Sequence, residues 1–177
     1  QLRQAAKYAY KEVPTGRTFA YMPLQFQPEQ IDIVSPYFSN QIETARLVAQ
    51  SLPGDMTLVV KDHPAMVGRR RVSYYEKLDR TMNVTFVDPM TKSERIFREA
   101  SIMIAAGGTS VAEAAFLNLP VIQLGQLGIS KLLPNVLPHT DLTTLSGVIT
   151  GHMNSATSGP EYEAKLEKWV AAVLDTG

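Results

Sequence analysis

Residues 105–125, Ala-Ala-Gly-Gly-Thr-Ser-Val-Ala-Glu-Ala-Ala-Phe-Leu-Asn-Leu-Pro-Val-Ile-Gln-Leu-Gly, carry the reading that decides the fold. The apolar run Ile102–Ala105 just before Gly107 has the length of a buried strand. Gly107 and Gly108 make a turn where backbone can approach a ligand closely. Ser110 is expected to cap the next helix, with Glu113 three residues on as the other half of a capping box. Pro120 to Leu124 re-enters the sheet. A helix that opens just after a strand end aims bare N–H groups and the positive end of its dipole at one point, which suits a phosphate. The alternative is an ordinary strand–turn–helix in which Glu113 only caps.

Working outward, the same alternation recurs. Strands are expected at Phe19–Leu24, Met56–Val60, Val84–Val87, Ile102–Ala105 and Val121–Leu124, with a short sixth at Asn135–Pro138. Helices are expected over Gln1–Lys11, Tyr37–Leu52, Ser73–Arg80, Thr91–Glu99 (with a second capping box to Glu94), Asp141 to about Thr150, and Glu161–Leu174. A polar loop separates the last two. Strands alternating with helices predict an α/β fold: a Rossmann-like parallel sheet of five to six strands with helices on both faces. Tyr74 and Tyr75 are expected to pack a helix on that sheet.

Ligands of such sheets bind beyond the carboxyl ends of the strands. The loops with chemical potential all fall there: Gln25–Glu29, Lys61–Pro64, Asp88–Ser93 and Ala106–Ser110. His63 follows a strand and precedes Pro64, which holds it extended and aims its imidazole off the sheet edge. It could donate to a phosphate or move a proton; a surface or helix-contacting histidine is the alternative. Lys61 and Arg69–Arg71 could add positive charge around an anion, or the arginines could be a solvated loop.

Composition narrows the classes. The 177 residues suffice for one domain. Apolar residues are 45% and charged residues 19%, ordinary for a globular protein. Seventeen basic residues balance seventeen acidic ones, which argues against nucleic acid as a partner. The chain has no cysteine, so disulfides and thiolate metal sites are excluded. His139 and His152 lack metal-ligand spacing and are expected in loops. No stretch approaches the roughly 20 apolar residues of a membrane span. No Walker loop, Gly-x-Ser-x-Gly elbow or Gly-x-Gly-x-x-Gly fingerprint is present. The chain opens at Gln1 inside an expected helix, which reads as a piece of a longer protein.

Tyr21–Glu29 (Tyr-Met-Pro-Leu-Gln-Phe-Gln-Pro-Glu), Asn40-Gln41, Val60-Lys61-Asp62-His63-Pro64, Asn83-Val84 and Gly108–Ala114, followed by Leu119-Pro120-Val121-Ile122, together resemble the capsule polysaccharide biosynthesis family. These are bacterial surface-carbohydrate glycosyltransferases of GT-B fold that include Kdo transferases. The resemblance spans roughly residues 20 to 128. It departs at Asp62, where the family usually has glutamate, and at Gly125–Gly128, which lacks an expected aromatic residue.

The resemblance implies that residues 1–177 form the single nucleotide-sugar-binding half of a GT-B enzyme, with a core at 18–150 and a terminal helix at 160–175. The N-terminal partner domain would lie outside this chain. The function implied is donor binding for transfer of a nucleotide-activated sugar, with CMP-Kdo as one donor, to a glycan or lipid-linked acceptor. Implied catalytic residues are His63 and Glu29. Implied donor-binding residues are Lys61, His63, Pro64, Gly107, Gly108, Thr109, Ser110, Glu113 and Gln27, with Glu113 on the ribose and Gln27 in the interdomain cleft. No metal or other cofactor is required. The implied place is the cytoplasm, peripheral at the inner face of the membrane. The rivals are a UDP-N-acetylglucosamine 2-epimerase-like enzyme, a CDP-alcohol phosphotransferase-like domain and a non-catalytic nucleotide-sugar-binding module.

Overall fold

A computed structural model describes residues 8–28, 38–125 and 128–175. Six parallel strands form one sheet: β1 (Phe19–Pro23), β2 (Thr57–Lys61), β3 (Val84–Val87), β4 (Ile102–Ala105), β5 (Val121–Gln123) and β6 (Val136–Pro138). Their spatial order is β3-β2-β1-β4-β5-β6, so the order reverses between β1 and β4. Tyr21 stands opposite both Val59 of β2 and Met103 of β4, which fixes the register at the centre. Helices α1 (Gln41–Ser51), α2 (Val72–Asp79), α3 (Ser93–Glu99), α4 (Thr109–Phe116), α5 (Leu145–Ser155) and α6 (Gly159–Asp175) cover its faces.

The central strands are mostly apolar because both of their faces are buried, whereas the edge strand β6 leaves Leu137 and Pro138 exposed. Alternate residues feed two cores. Ala20, Met22, Leu58, Val60, Ile102 and Ile104 face one, where Ile42, Ala45, Val48, Tyr75, Leu78 and Ile149 close over them from α1, α2 and α5. Phe19, Tyr21, Val59, Met103 and Ala105 face the other, covered by Ile96 and Phe97 of α3 and by Val111, Ala114 and Ala115 of α4. The small alanines of α4 let that helix lie close to the sheet. The fold expectation therefore holds, and Tyr75 does pack on the sheet: its ring stacks on Phe86 with centroids 5.2 Å apart.

Several boundaries differ from the sequence reading. The expected first helix falls partly on residues 1–7, outside the described residues. From Tyr8 the chain is not helical, and Lys11 bridges Val87 in parallel. Extended backbone puts residues two apart on one side, and Tyr8 and Tyr10 both meet the Phe86 ring, at 6.0 and 5.5 Å between centroids. The first part of the expected Tyr37–Leu52 helix includes Tyr37, also outside the described residues; α1 begins after Asn40, whose side chain accepts from the Glu43 amide. Asp141 does not cap α5. It accepts from the Thr143 amide and hydroxyl at 2.9 and 2.6 Å, while Thr144 holds the cap position. The helix continues to Ser155, with Met153 still packed on the core, so His152 is helical and lies 2.9 Å from the Asn135 carbonyl. No described helix is long and apolar enough to cross a membrane.

Phe86 has no solvent exposure and joins β3, α2 and the Tyr8–Tyr10 segment. Phe86→Ala is expected to cost about 3–5 kcal/mol of stability in denaturant unfolding. A cost below about 1 kcal/mol would mean that this aromatic cluster does not hold the N-terminal segment.

Candidate functional site

The reversal of strand order opens a cleft of about 500 Å³ above the carboxyl ends of β1 and β2, beside the start of α4. Such a switch point is where open α/β sheets accept ligands. The cleft collects Lys61, His63, Pro64, Gly108, Thr109, Ser110 and Glu113, seven of the residues singled out above. Tyr21, Gln25, Phe26 and Ser93 also line it.

Gly108 holds the cap position of α4 at φ +94° and ψ 175°, with no side-chain cap. This is the one glycine of the pair that needs its freedom, because L side chains rarely adopt that φ. A Cβ there would also stand 3.0 Å from Gln25 Oε1. Gly107 does not line the cleft; its carbonyl accepts from Gln25 Nε2 at 3.1 Å. Since the helix starts at Thr109, Ser110 lies inside its first turn, and the expected capping box is absent. The Glu113 carboxylate is thereby left to the cleft. The second expected box fails too. Helix α3 begins at Ser93 after Lys92, and Glu94 pairs with Arg98 at 2.7 Å instead.

His63 is held in a defined way. Its Nδ1 accepts from the Ala65 amide at 3.2 Å, capping the short 3₁₀ turn Pro64–Met66. With Nδ1 as acceptor, a neutral ring carries its proton on Nε2 and presents a donor. The Phe26 ring stands against the imidazole, centroids 5.7 Å apart.

Lys61 ends β2 and is only 6% exposed. Its ammonium donates to the Thr91 carbonyl at 3.1 Å and to Ser93 Oγ at 2.7 Å. Among the described residues no carboxylate lies within salt-bridge distance. Burial pushes the Lys61 pKa below its ordinary value, and the more distant charges of Glu113 and Asp88 oppose that shift. The floor of the cleft thus carries a buried cation whose two protein partners are neutral.

The arginine run divides. Arg70 is buried and does not reach the cleft. Its Nε lies 3.2 and 3.1 Å from the two oxygens of Asp62, which is fully buried, and its guanidinium stacks over Tyr74 at 4.4 Å. Burial pushes the Asp62 carboxyl above its usual range, and Arg70 opposes that shift most strongly. Arg69 is exposed, with its guanidinium over the Phe26 ring at 5.1 Å. Gln27 sits beside the Arg70 guanidinium. Its amide donates to the Ser39 carbonyl and accepts from Arg70 Nη1, both at 2.8 Å, and it does not line the cleft. Glu29 lies outside the described residues. Ser93 was legible only as part of a suspect loop, and the roles of Gln25 and Arg70 left no local signal. Among the described residues no group of three or more His, Asp or Glu could hold a metal ion.

Comparison with known proteins supports the architecture. The structure is similar to UDP-N-acetylglucosamine 2-epimerase from Methanocaldococcus jannaschii, with TM-score 0.60 and 16% identity over 93% of this chain and 47% of that one. It is similar to the Neisseria meningitidis epimerase bound to UDP-GlcNAc (TM-score 0.57, 13% identity, 92% of this chain, 45% of that one). It is also similar to a β-Kdo 2,7-transferase from Thermosulfurimonas dismutans (TM-score 0.54, 17% identity, 82% of this chain, 52% of that one). The chain spans about half the length of these proteins. No family profile and no characterised protein matches it by sequence. The fold is therefore that of one Rossmann-like half of the GT-B architecture.

A buried ammonium without a carboxylate partner is costly to the fold. Lys61→Met is expected to stabilise the chain by about 1 kcal/mol at neutral pH, read from thermal or denaturant unfolding. Because the folded-state pKa lies below the unfolded value, the wild type recovers stability as pH rises towards lysine's ordinary 10.5, so the gap should narrow there. A destabilised variant at neutral pH would show that the contacts to Thr91 and Ser93 outweigh the desolvation cost.

Proposed function

We propose that this chain is the donor-binding half of a glycosyltransferase that uses a nucleotide-activated sugar for a bacterial surface glycan. The observation that carries the reading is the convergence, in one cleft at the switch point, of the α4 N-terminus, the Lys61 ammonium and the His63 imidazole, with the Glu113 carboxylate one turn along α4. The first three favour a phosphate. The unpaired N–H groups of the first turn point at an anion and the dipole favours it. Lys61 supplies a full charge in a desolvated place, and His63 Nε2 supplies a directed donor. Glu113 can accept from two hydroxyls, as a ribose offers.

In this scheme the bond between the sugar and the nucleotide phosphate breaks while negative charge grows on the departing phosphate oxygen. Lys61, His63 and the α4 amides are fixed before that charge develops, so they stabilise the transition state more than the ground state. Glu113 orients the nucleoside. The acceptor and its base would meet this half across an interdomain cleft, with Glu29 as a contributor from this side. A partner half, a glycan or lipid-linked acceptor, and work at the inner face of the membrane belong to the same proposal. The reading needs no metal. CMP-Kdo is one donor within it, suggested by the Lys61–Pro64 block and by the Kdo transferase of like fold.

A second reading is a UDP-N-acetylglucosamine 2-epimerase-like enzyme. It is favoured by epimerases of like fold, one of them bound to UDP-GlcNAc. The nucleobase separates the CMP-Kdo form of the first reading from this one.

Calorimetric titration with CMP, CDP, UMP, UDP and GDP tests both. Cytidine-selective binding, weakened about tenfold or more by His63→Ala and by Glu113→Ala, is expected. Uridine selectivity would move the assignment to a UDP-sugar enzyme. Binding unchanged by either substitution would remove these residues from the site.

A further inference from the structure

Three loops bring different groups to the cleft: Gln25 and Phe26 after β1, His63 after β2, and the glycine turn after β4. They are joined by a strap of hydrogen bonds behind it. The His63 amide donates to Asp62 Oδ1 at 2.9 Å, and Arg70 Nε reaches both oxygens of that carboxylate. Arg70 Nη2 donates to the Gln25 carbonyl at 2.9 Å. Gln41, at the start of α1, grips the same residue: its Oε1 accepts from the Gln25 amide, and its Nε2 donates to the Gln25 carbonyl at 3.2 Å. The Gln25 side chain then completes the path, donating to the Gly107 carbonyl. One continuous run thus connects the backbone of His63 to the turn that opens α4.

Two of these members cannot act on a ligand themselves. Arg70 is 8% exposed and Gln41 3%, and neither lines the cleft. The Arg70 guanidinium is over-determined. Its three nitrogens serve the loop after β2 and two sites on the loop after β1, and its plane rests on Tyr74. A lysine would keep the charge but lose the fork.

We infer that Arg70 and Gln41 are positioning residues that hold His63 and the glycine turn at one fixed separation, so that a single phosphate meets both. The inference rests on the reading of the cleft as a phosphate site. It adds that the site is assembled before ligand arrives, since nothing in the strap waits for a ligand group. Misplacement by about 1 Å in such a site is worth up to about 100-fold.

The test combines amide NMR spectra of the ligand-free chain with nucleotide titration. The variants are Arg70→Lys, Gln41→Met and Gln25→Met, with the double variant Gln41→Met/Gln25→Met. The amide of Gly108 shares a peptide plane with the Gly107 carbonyl, so it reports the end of the strap. In Gln41→Met the Gly108 signal is expected to shift although residue 41 lies far from it along the chain, and Arg70→Lys should shift it too. Affinity for whichever of CMP, UMP and UDP the wild type binds should fall about tenfold in each single variant. The double variant should lose no more than the worse single one, because both cut the same path. Arg70→Lys disturbs a buried ion pair and could unfold the chain. Gln41→Met leaves both charges paired and decides the matter alone. A Gly108 signal unmoved in Gln41→Met, or losses that multiply in the double variant, would overturn the inference. If the wild type binds no nucleotide, the phosphate reading fails, while the Gly108 shift still shows whether the strap holds the turn.

Discussion

A carboxylate without access to water and the guanidinium that pairs with it organise the working edge of this sheet. Asp62 and Arg70 are eight residues apart, and each would be prohibitive to bury alone. Paired, they leave two guanidinium nitrogens to bind a loop from another strand. Such a pair contributes little net stability compared with well-packed apolar side chains, but its directionality is high. Its value here is geometric: it fixes where the chain goes after β1 and after β2. The same neutralisation has an electrostatic result. Arg70 brings no free charge to the cleft, so the cationic character of the floor comes from Lys61.

The sheet was legible in the sequence because its signals are local and redundant. Val84–Val87 and Ile102–Ala105 are short apolar runs between turn residues, and the structure begins and ends those strands at the same positions. The reach of the ligand loops followed from topology alone, since every parallel strand presents its carboxyl end to the same edge. Helix starts were harder. Ser110-x-x-Glu113 and Thr91-x-x-Glu94 both fit a capping pattern, and in both the helix begins elsewhere. At α4 the deciding factor is a backbone conformation that only Gly108 accepts readily. At α3 the Ser93 hydroxyl and the Thr91 carbonyl serve the Lys61 ammonium.

The members of the strap had no local signature. Arg69, Arg70 and Arg71 look alike in the chain, and only contacts across the fold separate one buried guanidinium from two exposed ones. The resemblance puts Gln27 towards a ligand, yet its amide is taken up by Ser39 and by Arg70 from the loop after β2. In the sequence, Gln41 and Asn40 stand out only through the resemblance. Their physical roles, a clamp on Gln25 and a cap on α1, follow from positions 16 and 3 residues away in the chain.

One further feature joins the cleft to the far side of the molecule. The sole tryptophan, Trp169 of α6, packs edge-on against Phe116 at the last turn of α4, with ring centroids 6.1 Å apart, and its Nε1 donates to the Ile129 carbonyl. Helix α4 is eight residues long, about 12 Å from end to end. The amides of its first turn and the one indole of the chain therefore sit at opposite ends of the same short helix. The chain's single indole thus stands outside the cleft, one short helix removed from it.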